Sequence, residues 1–406
     1  MKTLLCIALC SLVSMCSAKI QSSFGQEIDP IERIPFELKG EYVIFKLTLN
    51  NSDTLNCLFD TGATSGVMVL NDRVAKDMNL ASGKSVSATG GGGSVKDVKK
   101  IKGNTLKIND IVLKGIILYC IPLEHIELES GINIDGIVGD ILLTRYVVKV
   151  DYDTGYIELY SKDEYQYLGN GIEIPIKKIP VLNLSYLTGI VEFDDGTSVK
   201  GKYLIDSGAA HSLIFSSPFS RKNDLKTKFS KLITYKTKGL SDDEIDMSTG
   251  RLKHFSVGEL DFRSLPVSIS NADKGVLSWK KFSGILGNKI LRKYNITYDY
   301  KRNVTYWELN QYTDALIETN CAGFEVAYID NSRTRIIVNQ LSNDSPAQRA
   351  GIMIDDEVIA INMQDALKVG VLGIHQMLKE HGKEIEIQVK RDEEIITFLF
   401  HLRLII

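Results

Sequence analysis

Two aspartates stand where this sequence could do chemistry. Asp60 lies in the run Leu58-Phe59-Asp60-Thr61-Gly62-Ala63, and Asp206 in the matching run Leu204-Ile205-Asp206-Ser207-Gly208-Ala209. An apolar strand ending in Asp-(Thr/Ser)-Gly delivers a carboxylate to a buried place, and the glycine lets the backbone turn sharply against a partner loop. Two carboxylates about 3 Å apart resist ionising together and hold one proton between them. The charged one can act as general base on a water while the protonated one donates to a carbonyl under attack. That is the chemistry of direct amide hydrolysis, with no covalent intermediate. Thr61 and Ser207 are suited to hydrogen-bond across to the opposite loop, with Gly62 and Gly208 as the positions of close approach. A lone Asp-Thr-Gly is commonly just a tight turn; the pairing is what carries the reading.

Each motif also has a downstream companion. Gly136-Ile137-Val138-Gly139-Asp140 is echoed by Gly284-Ile285-Leu286-Gly287-Asn288, at nearly the spacing that separates Asp60 from Asp206. An apolar strand end with glycines can pack beneath an Asp loop where a larger residue would push the carboxylate out of line. The echo continues through Tyr146 and Tyr294, then Asp151-Tyr152 and Asp299-Tyr300. Motifs repeated in one order at one spacing point to a duplicated unit, with lobe one over 41–162 and lobe two over 163–310. Both lobes read as mostly β. Residues 42–49, 54–59, 111–121 and 146–152 are β-branched or aromatic runs, split by turns such as Asn50-Asn51-Ser52-Asp53 and Asp194-Asp195-Gly196. Helices should be few and short, residues 71–78 among them.

These duplicated motifs resemble those of the pepsin/retropepsin superfamily of aspartic peptidases, over about 41–310. The resemblance implies a bilobal, mostly β acid-protease fold with a cleft between the lobes. It also implies Asp60 and Asp206 as the catalytic pair, supported by Thr61, Gly62, Ser207 and Gly208. With both motifs in one chain, no homodimer is needed to complete the site. Two features depart from the pepsin branch. Ala63 and Ala209 stand where pepsin-like enzymes commonly carry Ser or Thr, whose hydroxyl would stabilise the ionised carboxylate and lower its pKa. An activity optimum nearer mildly acidic or neutral pH is therefore expected. The second departure is the flap, which lacks a clear Tyr-Gly pair in lobe one. The candidates are residues 87–94, with Gly90, Gly91, Gly92 and Gly93 at the tip, and residues 235–240 in lobe two, beginning at Tyr235. A glycine-rich tip suits a mobile lid over a peptide and suits a plain surface loop equally. No Lys-Ser/Thr follows it, so it is not a phosphate loop.

Beyond the second lobe the pattern changes. Ser345-Pro346-Ala347, then Ala350-Gly351-Ile352, then the run from Asp355 to Asn362 resemble PDZ domains over 319–404. Ser345 would cap a short helix that Pro346 opens and Gly351 ends, and residues 371–381 have the spacing of a groove-lining helix. By this resemblance Ala322, Gly323 and Phe324 begin the carboxylate-binding loop. A peptide would add a strand beside 324–327, facing the helix near His375. The alternative is a domain that only packs on the lobes. Cys321-Ala322 replaces the usual bulky-Gly pair, which counts against strict C-terminal capture.

Composition sets the outer limits. The chain has 406 residues, 44% hydrophobic and 24% charged, with a net charge of −3. These are ordinary values for a globular protein, and without a long Lys/Arg block no nucleic-acid partner is expected. Lys2, the apolar run 4–13 and Cys16-Ser17-Ala18 read as a signal peptide over 1–18; a variant reading makes Cys16 a lipid-modified N-terminus. Residues 19–40 are then an N-terminal segment and a candidate pro-segment. No later run has the length and apolarity of a transmembrane helix, so a secreted, periplasmic or cell-envelope setting is expected. Of the six cysteines, Cys57, Cys120 and Cys321 lie beyond the leader. They make no disulfide scaffold, and Cys57 and Cys120 read either as small buried hydrophobes or as a bridged pair. No metal-ligand spacing, cofactor motif, Gly-x-Ser-x-Gly elbow or His-Glu-x-x-His helix occurs, so neither a metal nor a cofactor is expected. His211 reads as a structural or cleft-wall residue, and Trp279 and Trp307 as core. The expectation is a monomeric aspartic endopeptidase acting on a peptide or protein substrate, with a PDZ-like domain that binds peptide or substrate. The alternative is a catalytically inactive peptide-binding adaptor of the cell envelope.

Overall fold

The computed structural model describes residues 28–406 apart from 65, 81–82, 91–92, 180–181 and 239–243. The signal-peptide and Cys16 readings, Gly91, Gly92 and the tip of the lobe-two hairpin therefore lie outside the described residues. The architecture is mostly strand, an aspartic-peptidase-like β fold plus a PDZ domain. No helix among the described residues is long and apolar enough to cross a membrane.

The duplication seen in the motifs recurs in the strand pairing. In lobe one, Leu55–Phe59 pairs antiparallel with Tyr42–Leu49 and parallel with Gly136–Val138. In lobe two, Ser198–Asp206 pairs antiparallel with Ser185–Glu192 and parallel with Gly284–Gly287. On the far side of each glycine segment lies a short apolar strand, Val67–Asn71 or Leu213–Phe215, antiparallel to it. That strand runs parallel to one limb of a long hairpin, at Ile111–Ile121 or Leu260–Ser270. Strands with neighbours on both sides and both faces covered are near-continuously apolar, and Val67–Asn71 and Leu213–Phe215 are wholly buried, the one polar residue, Asn71, being hydrogen-bonded through its side chain.

The echoed tyrosine-aspartate strands form the seam between the lobes. Tyr146–Asp151 and Tyr294–Asp299 lie side by side, antiparallel, with Thr297 opposite Lys149. Tyr156–Ser161 and Val304–Leu309 flank them as hairpin partners. Part of the N-terminal segment belongs here too. Glu32–Lys39 pairs with Tyr156–Ser161 on one side and Tyr42–Leu49 on the other, so it is an interior strand of lobe one. One apolar core runs beneath the seam and through both lobes, from Ile34 to the fully enclosed Trp307; Trp279 is only partly buried, against a smaller lobe-two cluster.

Local signals account for the few helices. Asp72–Asp77 is capped by Asn71, whose side chain accepts from the Arg73 N–H. Pro346–Ala350 is capped by Ser345, opened by Pro346 and ended by Gly351 in the left-handed conformation (φ 105°). The third unit has its own core and a sheet ordered Phe324–Tyr328, Ile336–Leu341, Glu357–Ile361, Glu384–Arg391, Glu394–His401. Its long helix, Ala366–Met377, kinks at Gly370 (φ 71°). Asp356, whose side chain is buried, is held by two nitrogens of Arg391 at 2.6 and 2.7 Å.

Cys57, Cys120 and Cys321 are buried and unbridged. Cys57 and Cys120 lie on strands of the lobe-one core, the small-hydrophobe role rather than the bridged one.

Candidate active site

The two Asp loops are locked together by a reciprocal set of hydrogen bonds. The Thr61 N–H donates to Ser207 Oγ at 3.0 Å, and the Ser207 N–H to Thr61 Oγ1 at 3.0 Å. Each hydroxyl then donates to a backbone carbonyl of the opposite strand: Thr61 to Ile205 and Ser207 to Phe59, both at 2.9 Å. Both side chains are buried, so all four bonds are shielded from water.

Above this lock the two carboxyl groups are brought side by side. The glycines make the approach possible. A Cβ at Gly62 would lie 2.7 Å from Asp206 Cγ, and one at Gly208 2.5 Å from Asp60 Cγ. Each acid thus rests on the glycine of the other loop. The downstream glycines serve the same arrangement from below. A methyl at Gly139 would collide with the Asp60 carbonyl, and one at Gly287 with the carbonyls of Ala209 and His211.

The pair is electrically uneven. Burial raises Asp60, opposed by its bond to Asp206 and by backbone N–H donors that include Gly62 at 2.7 Å and Ala63 at 3.2 Å. Burial raises Asp206 much further, reinforced by the negative charge of Asp60. Both acids are raised, so the pair holds on to one proton between them above the ordinary carboxylate range.

Asp60 and Asp206 open into a cavity of about 560 Å³ between the lobes. Its walls are largely apolar, with Leu58, Ile137, Ile214 and Ile285 close to the acids. Polar residues that sequence reading did not assign to the site also face it, Tyr42, Glu41 and Lys289 among them. Tyr42 is held neutral by burial and by surrounding carboxylates that include Asp206 and Asp60. Burial lowers Lys289. His211 lines the cavity wall, and burial with the nearby Lys289 charge pulls its imidazole down to about 4, so it is neutral at ordinary pH. Tyr42 opens the strand that pairs with the Asp60 strand, and only that register could have singled it out.

The flap candidates divide. Lys84–Thr89 and Ser94–Ile108 form a hairpin that the Gly90 N–H closes on the Gly93 carbonyl at 2.9 Å. The Gly90 carbonyl also accepts from Val276 N–H of lobe two at 3.1 Å, so the tip spans to the opposite lobe. Gly90 does not itself line the cavity, whereas Tyr235 does, with its hydroxyl 3.3 Å from Ser268 Oγ. Among the PDZ candidates, Gly323, Phe324 and His375 face the cavity and Ala322 is buried behind them.

Two duplicated β lobes whose Asp loops meet face to face define an aspartic-peptidase-like body, here joined to a PDZ domain. Comparison with known families agrees with that description: residues 45–141 match the aspartyl protease family and residues 316–390 match the PDZ domain. A solved aspartic proteinase from Irpex lacteus aligns at 13% identity over 70% of this chain and 98% of its own, with a TM-score of 0.41. No curated protein matches the chain.

Proposed function

We propose that the chain is an aspartic endopeptidase that hydrolyses peptide bonds by dyad-activated water, and that its PDZ domain binds peptide or substrate. The observation that carries this is the juxtaposition of the Asp60 and Asp206 carboxyl groups, each against the glycine of the other loop, on the wall of one largely apolar cavity. Asp60 takes a proton from the water, and protonated Asp206 donates to the scissile carbonyl oxygen. The proton gained by Asp60 then goes to the leaving nitrogen as the tetrahedral intermediate collapses. Low local polarity strengthens both steps, and the reciprocal Thr61 and Ser207 bonds hold the acids in place while the charge moves. The same proposal puts the protein outside the cytoplasm, on the strength of the leader in residues 1–18, and has it act as a monomer because both acids come from one chain.

Asp60→Asn and Asp206→Asn should each lower kcat on denatured casein by about 10²- to 10⁴-fold, and a statine-type inhibitor should block the wild type. Cleavage that survives either substitution would overturn the dyad mechanism. Undiminished peptide binding by a wild type that cuts nothing would favour the adaptor reading instead.

A further inference from the structure

The cavity that holds Asp60 and Asp206 does not end at the lobes. Its far wall is the PDZ domain, where Phe324, Glu325 and Val326 of the first strand and Leu372, His375 and Lys379 on or just beyond the long helix line the same space. The domain is seated close. The side chain of Leu372 packs at Gly40, and Asn331 donates to Glu124 of lobe one at 2.6 Å.

Among the described residues Phe324–Tyr328 is an edge strand, paired only with Ile336–Leu341, with the long helix and the lobe-one helix Glu124–Ser130 lying beside it. The polar groups of Val326 turn toward the helix, where His375 Nε2 lies 3.0 Å from the carbonyl and 3.4 Å from the N–H. One ring nitrogen either donates or accepts, so the imidazole serves only one of those two groups at a time. An incoming strand would serve both, and an open strand edge is a template for such addition.

The end of the groove says which part of a peptide fits. Capture of a C-terminus uses backbone N–H groups as a nest for the carboxylate. Here that loop is already filled. Asn320 Oδ1 accepts from the N–H groups of Ala322 at 2.9 Å and Gly323 at 2.8 Å. Its amide nitrogen donates to the Phe324 carbonyl at 2.6 Å and to Glu325 Oε1 at 3.1 Å, which fixes the side chain. An arriving carboxylate would meet an occupied nest with the Glu325 carboxylate beside it.

We propose that the PDZ groove takes an internal, extended segment of the same polypeptide that enters the catalytic cavity. The domain is then a distal subsite of the peptidase and not a reader of C-termini. This rests on the peptidase reading above. The segment adds to the sheet at Val326, displaces His375, and continues into the space over Asp60 and Asp206.

The test compares the full chain on fluorescein-labelled denatured casein and on a short internally quenched peptide drawn from a casein site that it cuts. Val326→Pro removes the outward N–H. His375→Trp fills the groove with the strand intact and covers the case in which the proline variant fails to fold. Each should lower the casein-to-short-peptide ratio of kcat/KM about tenfold through KM, the worth of one or two backbone hydrogen bonds. Amidating the C-terminus of a long casein peptide should leave its anisotropy-measured affinity for the Asp60→Asn chain unchanged, and Asn320→Ala should create a dependence on the free carboxylate. An unchanged ratio in both groove variants, or wild-type-groove affinity lost on amidation, overturns the proposal. If the wild type cuts neither substrate, the peptidase reading fails by itself, and the binding arm still decides: affinity lost in the His375→Trp background upholds the groove, and affinity kept there rejects it.

Discussion

Asp60 accepts from the N–H groups of Gly62 and Ala63 and Asp206 from that of Gly208, and Asp206 also faces the charge that Asp60 carries. Burial lifts both acids above the ordinary carboxylate range, and neither loop offers a hydroxyl at Ala63 or Ala209 to bring them down. The proposed mechanism requires one proton on the pair. Its acid limb follows the lower of the two macroscopic pKa values and its basic limb the higher, so raising both moves the window up. The pH–rate profile should peak in the mildly acidic to neutral range, and a maximum below about 3 would refute this. Ala63→Ser should move the acid limb to lower pH by giving ionised Asp60 another donor. The same shift has a sign in stability. A carboxyl raised in the folded state binds its proton more tightly there than when unfolded, so its contribution declines as pH rises through the folded value. Asp206→Asn should therefore raise the Tm at about pH 8, by about 2 to 4 °C for each kcal/mol of burial cost relieved, with the gain closing toward about pH 3. Equal melting shifts at both ends would show that the acid carries no such cost.

At the scale of elements, the glycine segments matter as much as the acids. Gly136–Val138 runs parallel to the Asp60 strand, and the Asp60 N–H donates to the Val138 carbonyl at 3.0 Å. Gly139→Ala would drive a methyl into the Asp60 carbonyl. Expected are a loss of about 1 to 3 kcal/mol from overpacking and a fall in kcat with substrate affinity less affected; denaturant titration and steady-state kinetics check the two halves. These segments were legible in the sequence because their information is local: an apolar run, a glycine and an acid, stated twice in one order. The strand pairing around Asp60 and Asp206 followed the same signal. What was not legible depends on register and docking. Tyr42 and Lys289 reach the cavity only because their elements are laid against it, and no spacing around them differs from that of ordinary strand or helix residues. The role of Asn320 was hidden likewise, since an Asn before a loop reads as turn chemistry until its four partners are known. Glu32–Lys39 was grouped with a candidate pro-segment, yet its alternating burial marks it as a lobe-one strand.

For the whole molecule that strand limits maturation. It sits between two neighbours, so removing it would strip a ladder from each side and uncover Ile34 of the main core. Any processing that leaves an active protein should stop before Glu32, and intact-mass measurement of the mature chain checks it: an active species beginning after Lys39 would contradict this. The third unit, for its part, lines the far side of the cavity that holds Asp60 and Asp206.

The reciprocal lock carries one more implication. Each acid leans on the other half's glycine, and each hydroxyl is satisfied by the other half's carbonyl. A nascent polypeptide that ends before Asp206, or either half of one severed between the halves and separated, has a lone carboxylate and one orphaned hydroxyl group. On the proposed reading, hydrolysis would therefore arrive only with completion of the pair, and the ribosome's unfinished products would be harmless to their neighbours without a dedicated inhibitor.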